Sequence, residues 1–453
     1  MSLTRREFLA GAATAAAPRR PNILLFFPDQ WRYDWTGLNP ALPVRTPNLE
    51  ALARRGARFT RAIVASPLCA PSRACLAAGK EYTRARVVNN RVDFPLDQPT
   101  FYQMLRSQGY HVMGCGKFDL HKHTEDWGLD GKRLLPEWGF SDGIDNAGKH
   151  DAIRSGAKTP RDPYMAYLHR RGLAAAHVED FKRRKEYAAT FPTPLPDEAY
   201  CDNWLSNNGL ELLRRAPAGK PWFHQINFTG PHPPMDITVS MEKRARGRRF
   251  PQPNRNTEYA LELHNAIREN YTAMIENIDR WIGLFLNEVK RRGELANTLV
   301  VFASDHGEML GDHNLWGKML PHHPSVSVPL VVAGPGVKKG AATQALTSVM
   351  DLAATFLDYA GVARPSGMDS RSLRPVLEGR ALAHRDYLLS GLNEWRMVWD
   401  GRYKLVTGFK GRRAKDPAPA APILFDLERD PLENENIATK NPALVKRLQE
   451  LLT

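Results

Sequence analysis

The chain has 453 residues, 42% of them hydrophobic and 25% charged, with a formal charge of +14. That length and composition exclude a disordered or fibrous chain and suit one large domain and one small one. The four cysteines, Cys69, Cys75, Cys115 and Cys201, are too sparse and uneven for a disulfide framework or a zinc site, although an oxidising compartment leaves a single bridge open.

In chain order, the first segment is T-R-R-E-F-L-A-G-A-A-T-A-A-A, with paired Arg5 and Arg6, a short weakly apolar run, and Ala15-Ala16-Ala17 as a small-residue cleavage site. Residues 1–17 resemble a twin-arginine export signal, which implies the export machinery as a partner and a periplasmic or secreted destination. Removing two arginines and a glutamate leaves a charge of +13, so the mature chain would still attract polyanions such as sulfated or phosphorylated glycans or an anionic membrane. Nucleic acid is not expected as a partner, because no helix-turn-helix, zinc-finger or aromatic RNA-binding signature is present. No later stretch reaches about 18 apolar residues, so no membrane-spanning segment is expected.

N-I-L-L-F-F, residues 22–27, is an unbroken apolar run closed by Pro28-Asp29-Gln30, the pattern of a strand buried on both faces of a parallel sheet. S-P-L-C-A-P-S-R-A-C-L-A-A-G-K, residues 66–80, places Cys69 two residues before Pro71 and four before Arg73, then runs into a small-residue helix start. Cys75 and Cys115 read as small buried hydrophobes. Residues 141–260 look irregular and rich in Pro, Arg and Lys, with basic blocks at 182–185 and 243–249. Those blocks are either solvated faces or a rim for a polyanionic substrate.

Ile267, Tyr271, Met274, Ile278, Trp281, Phe285 and Val289 recur at three- and four-residue steps, predicting an amphipathic helix that ends near Arg291-Arg292-Gly293. A second apolar run, T-L-V-V-F-A at 298–303, stops at Ser304-Asp305-His306-Gly307-Glu308. Helix, tight turn and buried strand in succession indicate an α/β layered sheet, with ligands outside the carboxyl ends of its strands. From about residue 366, short strand patterns at 387–390, 395–400, 403–407 and 423–427, separated by Asp400-Gly401 and the loop D-P-A-P-A-A-P, predict a small antiparallel sheet with a terminal helix.

Asp29-Gln30 and Asp305-His306, delivered to one sheet edge, suit a hard divalent cation. C-A-P-S-R at Cys69–Arg73 fits Cys-x-Pro-x-Arg and resembles the signature of type I sulfatases, in the alkaline phosphatase-like superfamily. P-N-I-L-L-F-F-P-D-Q resembles that family's first metal strand, S-D-H-G-E-M-L-G-D-H its second, G-P-H-P-P its histidine loop, the segment 313–332 its late-lysine region, and L-F-D-L-E-R-D-P-L-E-N-E-N its closing motif. The resemblance implies a large, mixed, mostly parallel sheet sandwiched by helices in a catalytic domain 21–365, and a C-terminal α+β subdomain 366–453.

It further implies that Cys69 is converted by a formylglycine-generating enzyme, which reads Pro71 and Arg73, and that the aldehyde is the nucleophile. A plain thiolate would end as a thiosulfate ester, whereas a hydrated aldehyde offers one hydroxyl to attack and a second to expel the sulfate. By the same resemblance Asp29, Gln30, Asp305 and His306 hold the metal beside Cys69, with calcium first and magnesium or manganese behind it. Arg73 steadies the modified side chain and Asp305 takes the attacking hydroxyl's proton. Lys117 and Lys318 grip the sulfate, and His232 is the candidate general acid.

Three departures qualify this. Gln30 replaces a frequent second aspartate, so the metal would have two carboxylates. Asp119 stands where the family has a histidine; either His121 supplies the imidazole or Asp119 binds a hydroxyl or amine of the substrate. His322-His323 replaces a tyrosine-glutamate pair. The expected activity is hydrolysis of a sulfate ester, and the basic charge and export signal point to a carbohydrate as its substrate. The competing readings are a phosphonate or phosphate monoester hydrolase of the same fold and a non-catalytic binder of sulfated glycans.

Overall fold

The apolar runs and their polar ends set the architecture. In the computed structural model, which describes residues 20–184, 187–411 and 421–452, N-I-L-L-F forms strand β1 (Asn22–Phe26), buried throughout. An unbroken apolar strand needs cover on both faces. Accordingly β1 lies inside an eight-stranded sheet, with Ile23 and Leu25 facing one hydrophobic core and Leu24 and Phe26 the other.

Parallel to β1 run β6 (Trp222–Asn227) on one side and β7 (Thr298–Phe302) on the other. Beyond β6 come β4 (His111–Gly116) and β5 (Asp142–Asp145), also parallel. Beyond β7, β8 (Leu330–Ala333) is antiparallel, followed by β2 (Ala57–Phe59) and β9 (Ala341–Thr343). A two-stranded parallel pair joins β3 (Ala62–Ile63) to β10 (Thr347–Ser348). The sheet is thus mixed and mostly parallel, as the resemblance implies.

The amphipathic helix spans Leu261–Arg291, and all seven of its predicted apolar positions are buried. Residues 141–260 depart from expectation. They hold β6 and the helices His150–Gly156, Pro163–Arg170, Ala174–Arg183, Cys201–Arg214 and Val239–Ala245. Proline at a first helical position, as at Pro163 behind the Asp162 cap, opens a helix instead of breaking one.

The C-terminal sheet is antiparallel, of β11 (Leu388–Leu392), β12 (Trp395–Trp399), β13 (Tyr403–Thr407) and β14 (Ile423–Asp426). Trp395, Met397, Trp399 and Val406 on one face join a core of the main sheet. Val398, Leu405 and Leu424 on the other pack with Val445 and Leu448 of the helix Pro442–Gln449. The export-signal segment 1–17 and most of the D-P-A-P-A-A-P loop lie outside the described residues. All four cysteines are free and buried, so the bridge left open is not made. No helix among the described residues is long and apolar enough to cross a membrane.

Candidate active site

Four adjacent strands bring the site together. Phe26 pairs with Phe302 in parallel register, so Asp29 and Asp305, each three residues further on, emerge side by side. β4 and β6 end opposite each other at Gly116 and Asn227 and send Lys117 and the loop bearing His232 to the same edge. Gly116 has φ +111°, and a side chain there would collide with the Asn227 carbonyl. The close approach that aims Lys117 therefore needs glycine.

Cys69 is the first residue of the buried helix Cys69–Ala78. Pro71 sits in its first turn, where its missing N–H is no loss. Arg73, one turn later, shares the face of Cys69. This is the physical content of the Cys-x-Pro-x-Arg spacing: the cysteine and the guanidinium are stacked toward one point, at a helix end that favours negative charge.

Asp29, Cys69, Asp305 and His306, all buried, offer ligand atoms within 4.8 Å of one another. Cys69 Sγ lies 3.8 Å from Asp29 Oδ1, 3.3 Å from His306 Nε2 and 3.2 Å from Lys318 Nζ. Arg73 donates to Asp305 Oδ2 at 2.9 Å and to the Lys117 carbonyl at 2.6 Å. Lys117 pairs with Asp29 and, at 2.8 Å, with Asp119. Gln30, in a left-handed backbone (φ 71°), donates its N–H to Asp305 Oδ1 and accepts from Lys318 at 2.7 Å, while its amide nitrogen reaches Glu308 and Tyr187.

Charge sets the protonation. Burial pushes the Asp29 carboxyl up, but Lys117 and Lys318 outweigh it and hold the carboxyl well below its usual range. Burial and Asp29 push the Cys69 thiol up, and Lys117, Lys318 and Lys122 together bring it below its ordinary value. Burial, then Lys318, drives His232 well below the ordinary imidazole value. Its Nδ1 donates to the Pro233 carbonyl at 2.5 Å, leaving Nε2 as the other ring nitrogen.

A cavity of about 420 Å³ opens over this cluster, lined by Cys69, Lys117, His232 and Lys318 among others. His121 is not among its lining residues. It packs between Trp127 and Trp138, 5.4 and 5.2 Å from their ring centroids, and burial pushes it down to about 4. His121 therefore does not supply the missing imidazole to the cavity; Lys122 lines it instead, bonding Asp119 at 3.1 Å and Asp151 at 2.7 Å. Asp119 is thereby neutralised by two lysines. The tight turn with Asp119 at φ 55° hid which residue after Lys117 would face inward.

Lys149, Arg91, Asn227 and Glu308 also escaped the sequence reading as site residues, though Glu308 lies in the quoted acidic cluster. His322 and His323 are packed among aromatic rings, and burial pushes both down to about 3. Of the basic blocks, 243–249 pairs locally, as in Arg248 with Glu276 and Arg246 with Glu242, and does not line the cavity.

A buried helix-start cysteine, a carboxylate and imidazole cluster fit for a divalent cation, and a cationic chamber suit the hydrolysis of tetrahedral oxyanion esters. The sulfatase family model matches residues 21–362, and a model for the C-terminal part of N-sulphoglucosamine sulphohydrolase matches residues 311–453. The chain belongs to the sulfatase family and is a sulfuric ester hydrolase. It is 27% identical to an arylsulfatase of Clostridium perfringens, covering 92% of this chain and 90% of that one. It is 30% identical to a choline-sulfatase of Rhizobium meliloti, covering 93% and 83%. It is 26% identical to an N-acetylglucosamine-6-O-sulfatase of Bacteroides thetaiotaomicron, covering 82% and 73%. Among solved structures it is similar to the phosphonate monoester hydrolase of Agrobacterium radiobacter, with TM-score 0.79, 25% identity, and coverage of 96% and 95%.

Proposed function

We propose that the protein is an exported sulfatase that hydrolyses sulfate esters of a carbohydrate through a formylglycine made from Cys69. The observation that supports this best is the convergence of Asp29, His306 and Lys318 on one sulfur, 3.8, 3.3 and 3.2 Å away. The donor set fits a hard divalent cation: two carboxylates and an imidazole lie in one buried cluster, and the Gln30 amide oxygen, which accepts from Lys318 at 2.7 Å, would be the fourth protein ligand. Calcium suits it first, magnesium or manganese next. When bound, the cation supplies positive charge against the sulfate oxygens. The hydrated aldehyde supplies the attacking hydroxyl and the one that later expels sulfate.

The chain's own residues do the rest. Lys117 and Lys318 bind the sulfate. Asp305, oriented by Arg73, takes the attacking hydroxyl's proton. Burial and Lys318 hold His232 well below the ordinary imidazole value in the free protein; a bound anionic ester offsets the field of Lys318, so Nε2 takes a proton from water and gives it to the leaving oxygen. Export rests on Arg5, Arg6 and the alanine run alone, and sequencing the N-terminus of the protein recovered from the periplasm or medium tests it.

The likeness to a phosphonate monoester hydrolase favours a second reading, of a phosphonate or phosphate monoester hydrolase in the same cluster. Turnover of an aryl sulfate and an aryl phosphonate on the same purified protein decides. The expected result is a preference for the sulfate that is lost on chelation together with a fall in Tm, and restored by calcium. A large preference for the phosphonate would overturn the proposal.

A further inference from the structure

The chamber above Cys69 continues into a second, larger cavity of about 740 Å³. The two share His150, Arg154, His232 and Pro233 in their walls. His232 therefore stands at the seam. The sulfur side of the ester belongs in the first chamber, beside Cys69 and the two lysines. The ester oxygen belongs at the candidate acid. The second cavity then lies on the alcohol's side of His232.

That cavity lies between the helices His150–Gly156 and Ala174–Arg183. Ile153, Val178 and Phe181 give it an apolar wall. Its charged lining residues are Arg154, Lys182 and Arg184, with no carboxylate among the described residues that line it. Arg184 is committed to Asp180, at 2.8 and 3.1 Å. Arg154 and Lys182 are half to two-thirds exposed; Arg154 pairs with Glu125 and, at 3.4 Å, with Asp151, and Lys182 with Glu179. Pairs of that kind are worth little and exchange readily onto another anion.

A single sugar ring leaves most of such a space unfilled, and a small quaternary amine would meet cations there. An apolar wall with an aromatic ring suits the flat face of a sugar, and the two exposed cations suit a carboxylate or a second sulfate. We infer that the leaving alcohol is part of a chain of two or more sugar rings bearing a further anionic group, received between these two helices with Phe181 as the stacking face and Arg154 as the anion contact. This rests on the sulfatase reading above and specifies its substrate.

The test measures kcat/KM on defined sulfated mono-, di- and trisaccharides, with and without a uronate carboxylate, against an aryl sulfate as internal reference. Loss of folded enzyme in a variant cancels from the ratio of trisaccharide to aryl sulfate. The expected ratio rises at least about tenfold from one ring to three, and falls by about tenfold in Phe181→Ala and in Arg154→Gln, the latter only for the uronate-bearing substrates. Equal kcat/KM for one ring and three, or a ratio unmoved in both variants, would overturn the inference and leave the sulfatase reading standing. Turnover of the phosphonate without any sulfate ester would instead remove the reading on which it rests.

Discussion

As the proposed acid, His232 would separate the chemistry of good and poor leaving groups. An aryl oxygen leaves as a stable anion and needs little protonation; a sugar alkoxide does not. His232→Ala is expected to lower kcat/KM for a sugar sulfate by about 10²- to 10³-fold and for an activated aryl sulfate by less than about tenfold. Equal losses on the two substrates would show that the imidazole binds sulfate and does not protonate the alcohol. The same scale shows what residue patterns carry and what they do not. Asp29, Cys69, Arg73, Asp305 and His306 were legible because each sits at a strand end or helix start that the sequence marks. The choice between His121 and Lys122 was not, because it turns on a left-handed residue in a short loop.

Between elements, the C-terminal sheet holds the loop that carries Lys318. Lys404 of β13, fully buried, donates to the Pro321 carbonyl at 2.7 Å and pairs with Glu433, whose other oxygen accepts the His323 N–H at 2.7 Å. From the opposite side the Pro67 carbonyl accepts the Met319 N–H at 3.0 Å. Removing one member of a buried pair strands the other. Lys404→Met should lower stability by about 3–5 kcal/mol, read by urea denaturation, and Lys404→Met with Glu433→Leu should recover part of it. A single variant as stable as the parent would mean that the pair is not under tension from burial. The strands of this sheet were visible as alternating runs, whereas β6 and the helices between 141 and 260 were masked by prolines and charges that turned out to be helix starts and solvated faces.

Across the whole molecule, Asp351 ties the segment after residue 366 to the main core. It accepts from the Ser348 and Arg371 N–H groups, from Arg385 at 2.8 Å and from His384 at 3.0 Å. Burial raises its carboxyl, but the bonds from Arg385 and His384 prevail and bring it down to about 2. A folded value below the unfolded one, near 3.9, gives stability that is complete above about pH 4 and is lost as pH falls toward 2. The contribution is about 2 kcal/mol. Asp351→Asn should lower stability at neutral pH and flatten the stability curve between pH 4 and 2; an unchanged slope there would assign the acid sensitivity to other carboxylates.

The side chain at position 69 carries the proposed chemistry. The most direct measurement is the mass of the peptide containing it, taken from enzyme made with and without a formylglycine-generating enzyme, alongside aryl sulfatase activity. Conversion lowers the mass by about 18 Da, and activity should rise in proportion to the converted fraction and vanish in Cys69→Ala. Full activity in protein whose residue 69 is entirely unconverted cysteine would contradict it.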